Sequence, residues 1–205
     1  MEWNRFKALL VDTFVQGELD SKAIQHLEFA YDRIEHMWDV FNKDVEIERV
    51  IIGEATLFKR GSYIYNIDTP NSSFLRPSDF PGGQNGSKEY LLSLLKKHGI
   101  AIVDSYPFAF NDVDTPTVTY SSKLKSKHYL AFLQSSFNLY GAEKIKRILS
   151  KNPKAKVAFR YRRNDNLLGH GLDVILKKHS LTASRHRCLF GNISIDRAKL
   201  HDFLG

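Results

Sequence analysis

One cysteine, Cys188, occurs in 205 residues. No internal disulfide can form, and neither a multi-cysteine zinc site nor a cysteine-held iron–sulfur cluster is possible. No apolar run approaches the ~18 residues that span a bilayer. The opening Met1-Glu2-Trp3-Asn4-Arg5 lacks the charged-then-apolar layout of a secretory signal. His, Asp and Glu do not recur at the tight spacings of a metal site. Pro81-Gly82-Gly83-Gln84-Asn85-Gly86 is glycine-rich, but it lacks the Lys-Ser/Thr ending of a phosphate-binding loop and follows no strand. No internal repeat and no low-complexity linker is present. These absences predict a soluble, cytoplasmic protein with no membrane partner, no metal and no other cofactor. The length and the 42% hydrophobic content fit one domain over 1–205 with a full core.

What the chain has in excess is positive charge. Lys and Arg number 30 against 23 Asp and Glu, a difference of +7. Thirteen of the basic residues fall between Lys144 and Arg187, whereas acids are frequent in the first 50 positions. Such a surface favours a polyanion through counterion release at phosphates. The bland alternative is a solvated basic face.

Apolar residues at Ile24, Leu27, Tyr31, Ile34, Trp38 and Phe41 carry the helical period, with Asp20 or Ser21 as its cap. A helical segment therefore fills much of 1–44, and an α/β core occupies 45–205. Val45 to Ile52 reads as a strand ending at Gly53-Glu54-Ala55. A long irregular stretch over 57–86 comes next, and loops of that length are usually functional when they are ordered. Ser87 caps a helix that Gly99 ends, and Ile100 to Asp104 is a short buried strand. A helix over 127–150, a strand over 156–161, a helix over 166–178, a strand over 181–187 and a last helix capped by Ser194 complete the pattern. Four strands alternating with helices predict a three-layer α/β/α sandwich around a mainly parallel four-stranded sheet.

Ligands of such sheets lie beyond the carboxyl ends of the strands. Those ends supply Glu54, Asp104, the Arg160-Tyr161-Arg162-Arg163 run and Ser184-Arg185-His186-Arg187. Hydrolysis of an N-glycosidic bond needs a similar set. A carboxylate orients water and stabilises an oxocarbenium-like sugar, and a donor stabilises the departing base. A polar group reads the base edge, and an aromatic stacks on its face.

Val50-Ile51-Ile52-Gly53-Glu54-Ala55 resembles the first motif of the uracil-DNA glycosylase superfamily, a strand running into a Gly-Glu-Ala-Pro-Gly type of turn. The order of elements is also similar over roughly residues 45–204: an aromatic-containing loop, a strand ending in a polar base-reading residue, and a last strand with a His- or Ser-containing motif before a final helix. Thr56 stands where the family usually has Pro, and Ala55 where many members have the water-activating Asp or Asn. The final His-Pro-Ser motif is absent. Ser184-Arg185-His186-Arg187 is its nearest counterpart, with His179-Ser180 as the rival. The resemblance implies a monomeric, cofactor-free glycosylase acting on single- or double-stranded DNA.

In that reading Glu54 positions the attacking water, with Asp68 and Asp79 as substitutes, and His186 stabilises the base anion. Ala55, Tyr63, Tyr65 and Phe74 would border the flipped base. Arg160, Arg162, Arg163, Ser184, Arg185 and Arg187 would grip DNA, and Leu189 would wedge into it. Known members place Asn where this chain has Asp104. An ionised carboxylate only accepts hydrogen bonds, which suits the exocyclic amine of cytosine and repels O4 of uracil. A modified cytosine, such as those of phage genomes, is therefore the expected base. Each residue has a plainer reading. Glu54 or Asp104 could cap a turn, the aromatics and Leu189 could plug the core, and His186 and the arginines could be solvated surface. His170, between Gly169 and Gly171, reads as part of a structural turn.

Overall fold

A computed structural model of the chain describes residues 3–13, 19–55, 63–69, 74–108, 127–180, 184–186, 188–189 and 195–205. Two helices come first, α1 (Trp3–Thr13) and α2 (Ser21–Asn42). Asp20 caps α2 by accepting from the Ala23 amide at 2.7 Å. The periodic residues Leu27, Tyr31, Ile34 and Phe41 are all buried.

Strand β1 (Arg49–Ala55) is next, then a 3₁₀ turn at Pro77–Asp79, α3 (Lys88–Lys97) and β2 (Ile100–Tyr106). Ser87 caps α3, and Gly99 ends it at φ +56, where a Cβ would lie 2.7 Å from the Glu46 carbonyl oxygen. Beyond β2 come α4 (Lys127–Ser136), a π-helical turn (Phe137–Gly141) and α5 (Ala142–Lys151). The chain closes with β3 (Lys156–Phe159), α6 (Arg162–Lys178), β4 (Ser184–Arg185) and α7 (Arg197–Leu204).

The result is a mixed α/β fold with a small parallel sheet, strand order β2-β1-β3-β4. Val50, Ile51 and Ile52 are each fully buried, so both faces of the central strand are covered. Val50 and Ile52 join α1, α4, α5 and α6 in one core cluster. Ile51 joins Leu91, Leu95 and Phe203 of α3 and α7 in the other. At the free edge of β2, Trp38 Nε1 donates to the Ile102 carbonyl at 2.9 Å, and the Ile102 amide donates to the Tyr65 hydroxyl at 2.6 Å.

Several expected boundaries move. The first strand starts at Arg49 and not Val45, because its neighbours begin only at Ile100 and Lys156, level with Arg49. It continues through Glu54 and Ala55 because β2 runs on to Tyr106, which is level with Ala55. Of the fourth strand, expected over 181–187, Ser184 and Arg185 pair with β3, while 181–183 and 187 lie outside the described residues; among the described residues three strands have four residues or more. The long helix is interrupted by the π turn, where a Cβ on Gly141 would lie 3.1 Å from the Asp104 carbonyl oxygen. His170 is no turn residue but lies inside α6. Gly169 there makes room for Arg185, whose Nη2 would lie 2.1 Å from an added Cβ. Asp196 caps the last helix, and Ser194 lies outside the described residues.

Candidate active site at the carboxyl end of the sheet

The chain leaves β1 toward β2 on one side and leaves β3 toward β4 on the other. The connections diverge between β1 and β3, and in open α/β sheets the crevice at that point takes the ligand. Glu54 and Arg160 flank it.

Glu54 continues the Val50–Ile52 side of β1. Its carboxylate is only 15% exposed and is clamped by two donors. Arg163, in the first turn of α6, donates Nη1 to Oε2 at 3.2 Å, and the buried Tyr129 of α4 donates its hydroxyl to Oε1. Tyr106 lies 2.9 Å from the Tyr129 oxygen. Because the single proton of Tyr129 goes to Glu54, Tyr106 is the donor in that pair. Burial, then Tyr106, then Glu54 hold the Tyr129 phenol far above the ordinary tyrosine range, so it remains a donor. The Arg163 guanidinium also sits 5.8 Å from the Tyr129 ring centre.

Asp104 continues the Ile100–Ile102 side of β2 and lies on the opposite face. It is level with Gly53, where a Cβ would fall 2.2 Å from Asp104 Oδ1 and 3.3 Å from the Phe74 ring. Glycine at 53 is what lets the carboxylate and the ring close over β1. Ser105 holds the same corner by donating to the Gly53 carbonyl at 3.0 Å. Phe74 is half-buried and meets Tyr161 edge-on at 6.0 Å. Beneath both rings lies Arg160, 5.4 and 4.9 Å from their centres, with Nε donating to the Phe74 carbonyl at 2.6 Å. The two carboxylates thus approach the strand ends from opposite faces.

Other expected site residues are elsewhere or otherwise engaged. Tyr63 and Tyr65 are 3% and 6% exposed core residues, with hydroxyls directed at Ile34 and Ile102. Only Phe74 of the three aromatics borders the crevice. Leu189 is 1% exposed within a core cluster and cannot wedge into DNA. Arg160 is 2% exposed, so it holds the Phe74 loop and does not face solvent. Arg185 is bound by Asp165, Asp173 and the Gly169 carbonyl. Ala55 lies at the end of β1, partly buried against the core.

His186 departs furthest from expectation. Ser184 and Arg185 lie level with Lys156 and Val157, and the His186 amide donates to the Val157 carbonyl at 2.8 Å. Farther along, the Leu189 amide donates to the Phe159 carbonyl. His186 is therefore midway along the sheet and two strands from β1, about 10 Å along and about 10 Å across from Glu54 at ordinary spacings. Its ring packs on Phe203 and faces Asp202 at 3.8 Å. His179, at the far end of α6, is exposed and equally remote.

Asp79 caps the 3₁₀ turn through the Arg76 amide, and Asp68 is exposed. Arg187 lies outside the described residues, as does the Ser184 side chain. Arg162 is exposed at the start of α6, beside the crevice. Tyr129 and Tyr106, which sequence reasoning missed, are joined to Glu54 by hydrogen bonds. Tyr129 lies 75 positions from Glu54, with no local pattern linking them.

Among the described residues no group of three or more His, Cys, Asp or Glu is placed to hold a metal ion. No helix among them is long and apolar enough to cross a membrane. Comparisons with family models, with curated proteins and with solved structures find no match for this chain.

Proposed function

We propose that this chain is a DNA glycosylase of the uracil-DNA glycosylase type, hydrolysing the bond between deoxyribose and a flipped-out base. The observation that carries the reading is the clamped Glu54 carboxylate at the end of β1, with Asp104 and Phe74 closing over Gly53 on the other face of the same strand end. A clamped carboxylate, a second carboxylate one strand away and a half-exposed ring are the parts that N-glycoside hydrolysis requires. The strand running into Gly53-Glu54-Ala55 and the polar end of β2 support the superfamily assignment, together with a layered α/β/α reading of the fold.

In this mechanism the base stacks on Phe74 while Glu54 faces the sugar. Glu54 orients a water and stabilises positive charge developing on the ring oxygen. The C–N bond breaks with its electron pair leaving on the base. Water attacks the anomeric carbon, and its proton ends on the released base. Arg160, beneath Phe74, supplies the positive charge that favours a departing anion, the role that the sequence pattern gives to His186. Asp104 accepts from an exocyclic amine, so the preferred base is of the cytosine type, in modified form. Arg162 meets a backbone phosphate. The chain works as a monomer, without a cofactor.

The test is incubation of the purified chain with DNAs carrying uracil, hypoxanthine, cytosine, hydroxymethylcytosine or glucosylated cytosine, and then treatment with alkali. Alkali-dependent breaks at a modified cytosine, lost in Glu54→Ala and redirected toward uracil in Asp104→Asn, are expected. Salt-sensitive binding without breaks on any substrate would instead identify a non-catalytic nucleic-acid-binding protein.

A further inference from the structure

Asn164 is fully buried, and neither its amide oxygen nor its amide nitrogen has a hydrogen-bond partner within the protein. The preceding residue repeats the anomaly: Arg163 Nη2 is buried without a partner, although Nη1 of the same guanidinium binds Glu54. Leaving such groups unmatched is costly, and buried polar groups in native proteins are nearly always satisfied. Three unmet atoms on consecutive residues, two nitrogens that donate and one oxygen that accepts, match the roughly three hydrogen bonds typical of a buried water.

Their place in the fold says what such a water would serve. Asn164 shares the face of α6 that Leu168 and Leu172 pack into the core beside Val50, Ile52 and Phe159. That is the face of the sheet from which Glu54 projects. The planar guanidinium fixes Nη2 beside Nη1, so a molecule bound to Nη2 lies next to the carboxylate that Nη1 holds. No side-chain cap closes the start of α6, and its first turn holds no acid before Asp165.

We propose that Asn164 and Arg163 Nη2 hold the water that Glu54 activates, which makes Asn164 a positioning residue for hydrolysis. The water accepts from the two nitrogens, and the Asn164 oxygen and Glu54 take its protons as acceptors. During the reaction the water gives up the bond from the Asn164 nitrogen, the lone pair so freed forms the new bond to the anomeric carbon, the base leaves with the electron pair of the C–N bond, and one proton of the water passes by way of Glu54 to the base. The water's role rests on the glycosylase reading for its chemistry and on the unmet hydrogen bonds for its location.

Two measurements separate those supports. A crystal structure of the full chain at a resolution that orders solvent should contain a water on Asn164 and Arg163 Nη2. Both groups satisfied by protein atoms alone would overturn the inference, whatever the enzyme's activity. Single-turnover excision by the wild-type chain tests the glycosylase reading by itself. With an active wild type, Asn164→Leu should fold, bind DNA with unchanged KM and lose about 10–100-fold in kcat, as a displaced reactant does. Asn164→Ser, which leaves room for solvent and restores a donor and an acceptor, should recover part of that loss. A wild-type kcat in Asn164→Leu would reject the positioning role. With an inactive wild type the glycosylase reading fails, and the crystal alone decides whether the water site exists.

Discussion

The two ends of the sheet are built on opposite terms. At the amino end every strong donor finds a backbone carbonyl. Arg49 donates to Phe203, Leu204 and His98 at 2.7–3.1 Å, Lys156 reaches Phe203 at 3.3 Å, and Asn152 binds Ile47 at 3.1 Å. These contacts close the last turn of α7 and the end of α3 onto β1 and β3. At the carboxyl end the polar groups turn toward one another and toward the crevice. Glu54 is clamped by Tyr129 and Arg163, Asp104 closes over Gly53, and Asn164 has no protein partner. The amino end is tied together through backbone carbonyls, whereas the carboxyl end pairs side chain with side chain and leaves Asn164 and Arg163 Nη2 buried without a partner.

Substitutions should separate the two ends. The largest effect is expected for Glu54→Gln, which keeps the shape and removes the charge. Excision should fall by about 10²–10⁴-fold, the range for losing a positioned acid–base group. The thermal midpoint should hardly move, and a large drop in it would mean that Glu54 belongs to the structural set.

Next in size is Arg49→Ala at the other end. It strands the Phe203, Leu204 and His98 carbonyls, and a loss of about 3 kcal/mol is expected from bonds to a charged donor. Its exposed pair with Glu48 adds little. Urea unfolding should show the loss, while activity per folded molecule stays the same.

The smallest effect belongs to Lys88, at the start of α3. Its amine donates to the Tyr63 carbonyl at 3.0 Å, and burial lowers it to about 8. The unfolded chain takes up this proton more readily, so stability rises with pH between about 8 and the ordinary lysine value of about 10.4. Below about 8 the buried charge is a constant penalty. Lys88→Met should flatten that rise in denaturation curves between pH 7 and 10.5. An unchanged slope would mean that the amine titrates normally.

Much of this was legible in the sequence where local pattern decides structure. The α2 stripe, the Ser87 cap, the Gly99 stop and the buried runs of β1 and β2 are all local signals, and they place Glu54 and Asp104 at the carboxyl end of the sheet. Errors arose where long-range partners decide. Arg160 counted as surface charge because composition carries no burial, yet Phe74 and Tyr161 cover it. His186 does follow the last residue of β4, but that strand is level with the start of β3, so its end is not at the carboxyl end of the sheet. Tyr129 had no signal at all, since a core tyrosine and a clamping tyrosine look alike until the carboxylate beside it is known.

The covered edge of β2 bears on assembly. An open strand edge invites another molecule to add a strand of its own, a common route to aggregation. Here Trp38 and Tyr65 occupy both hydrogen-bonding groups of Ile102 at the middle of that edge. A visiting strand would have to displace an indole and a phenol that are each anchored in the core, so copies that meet along this side find side chains where a template would be.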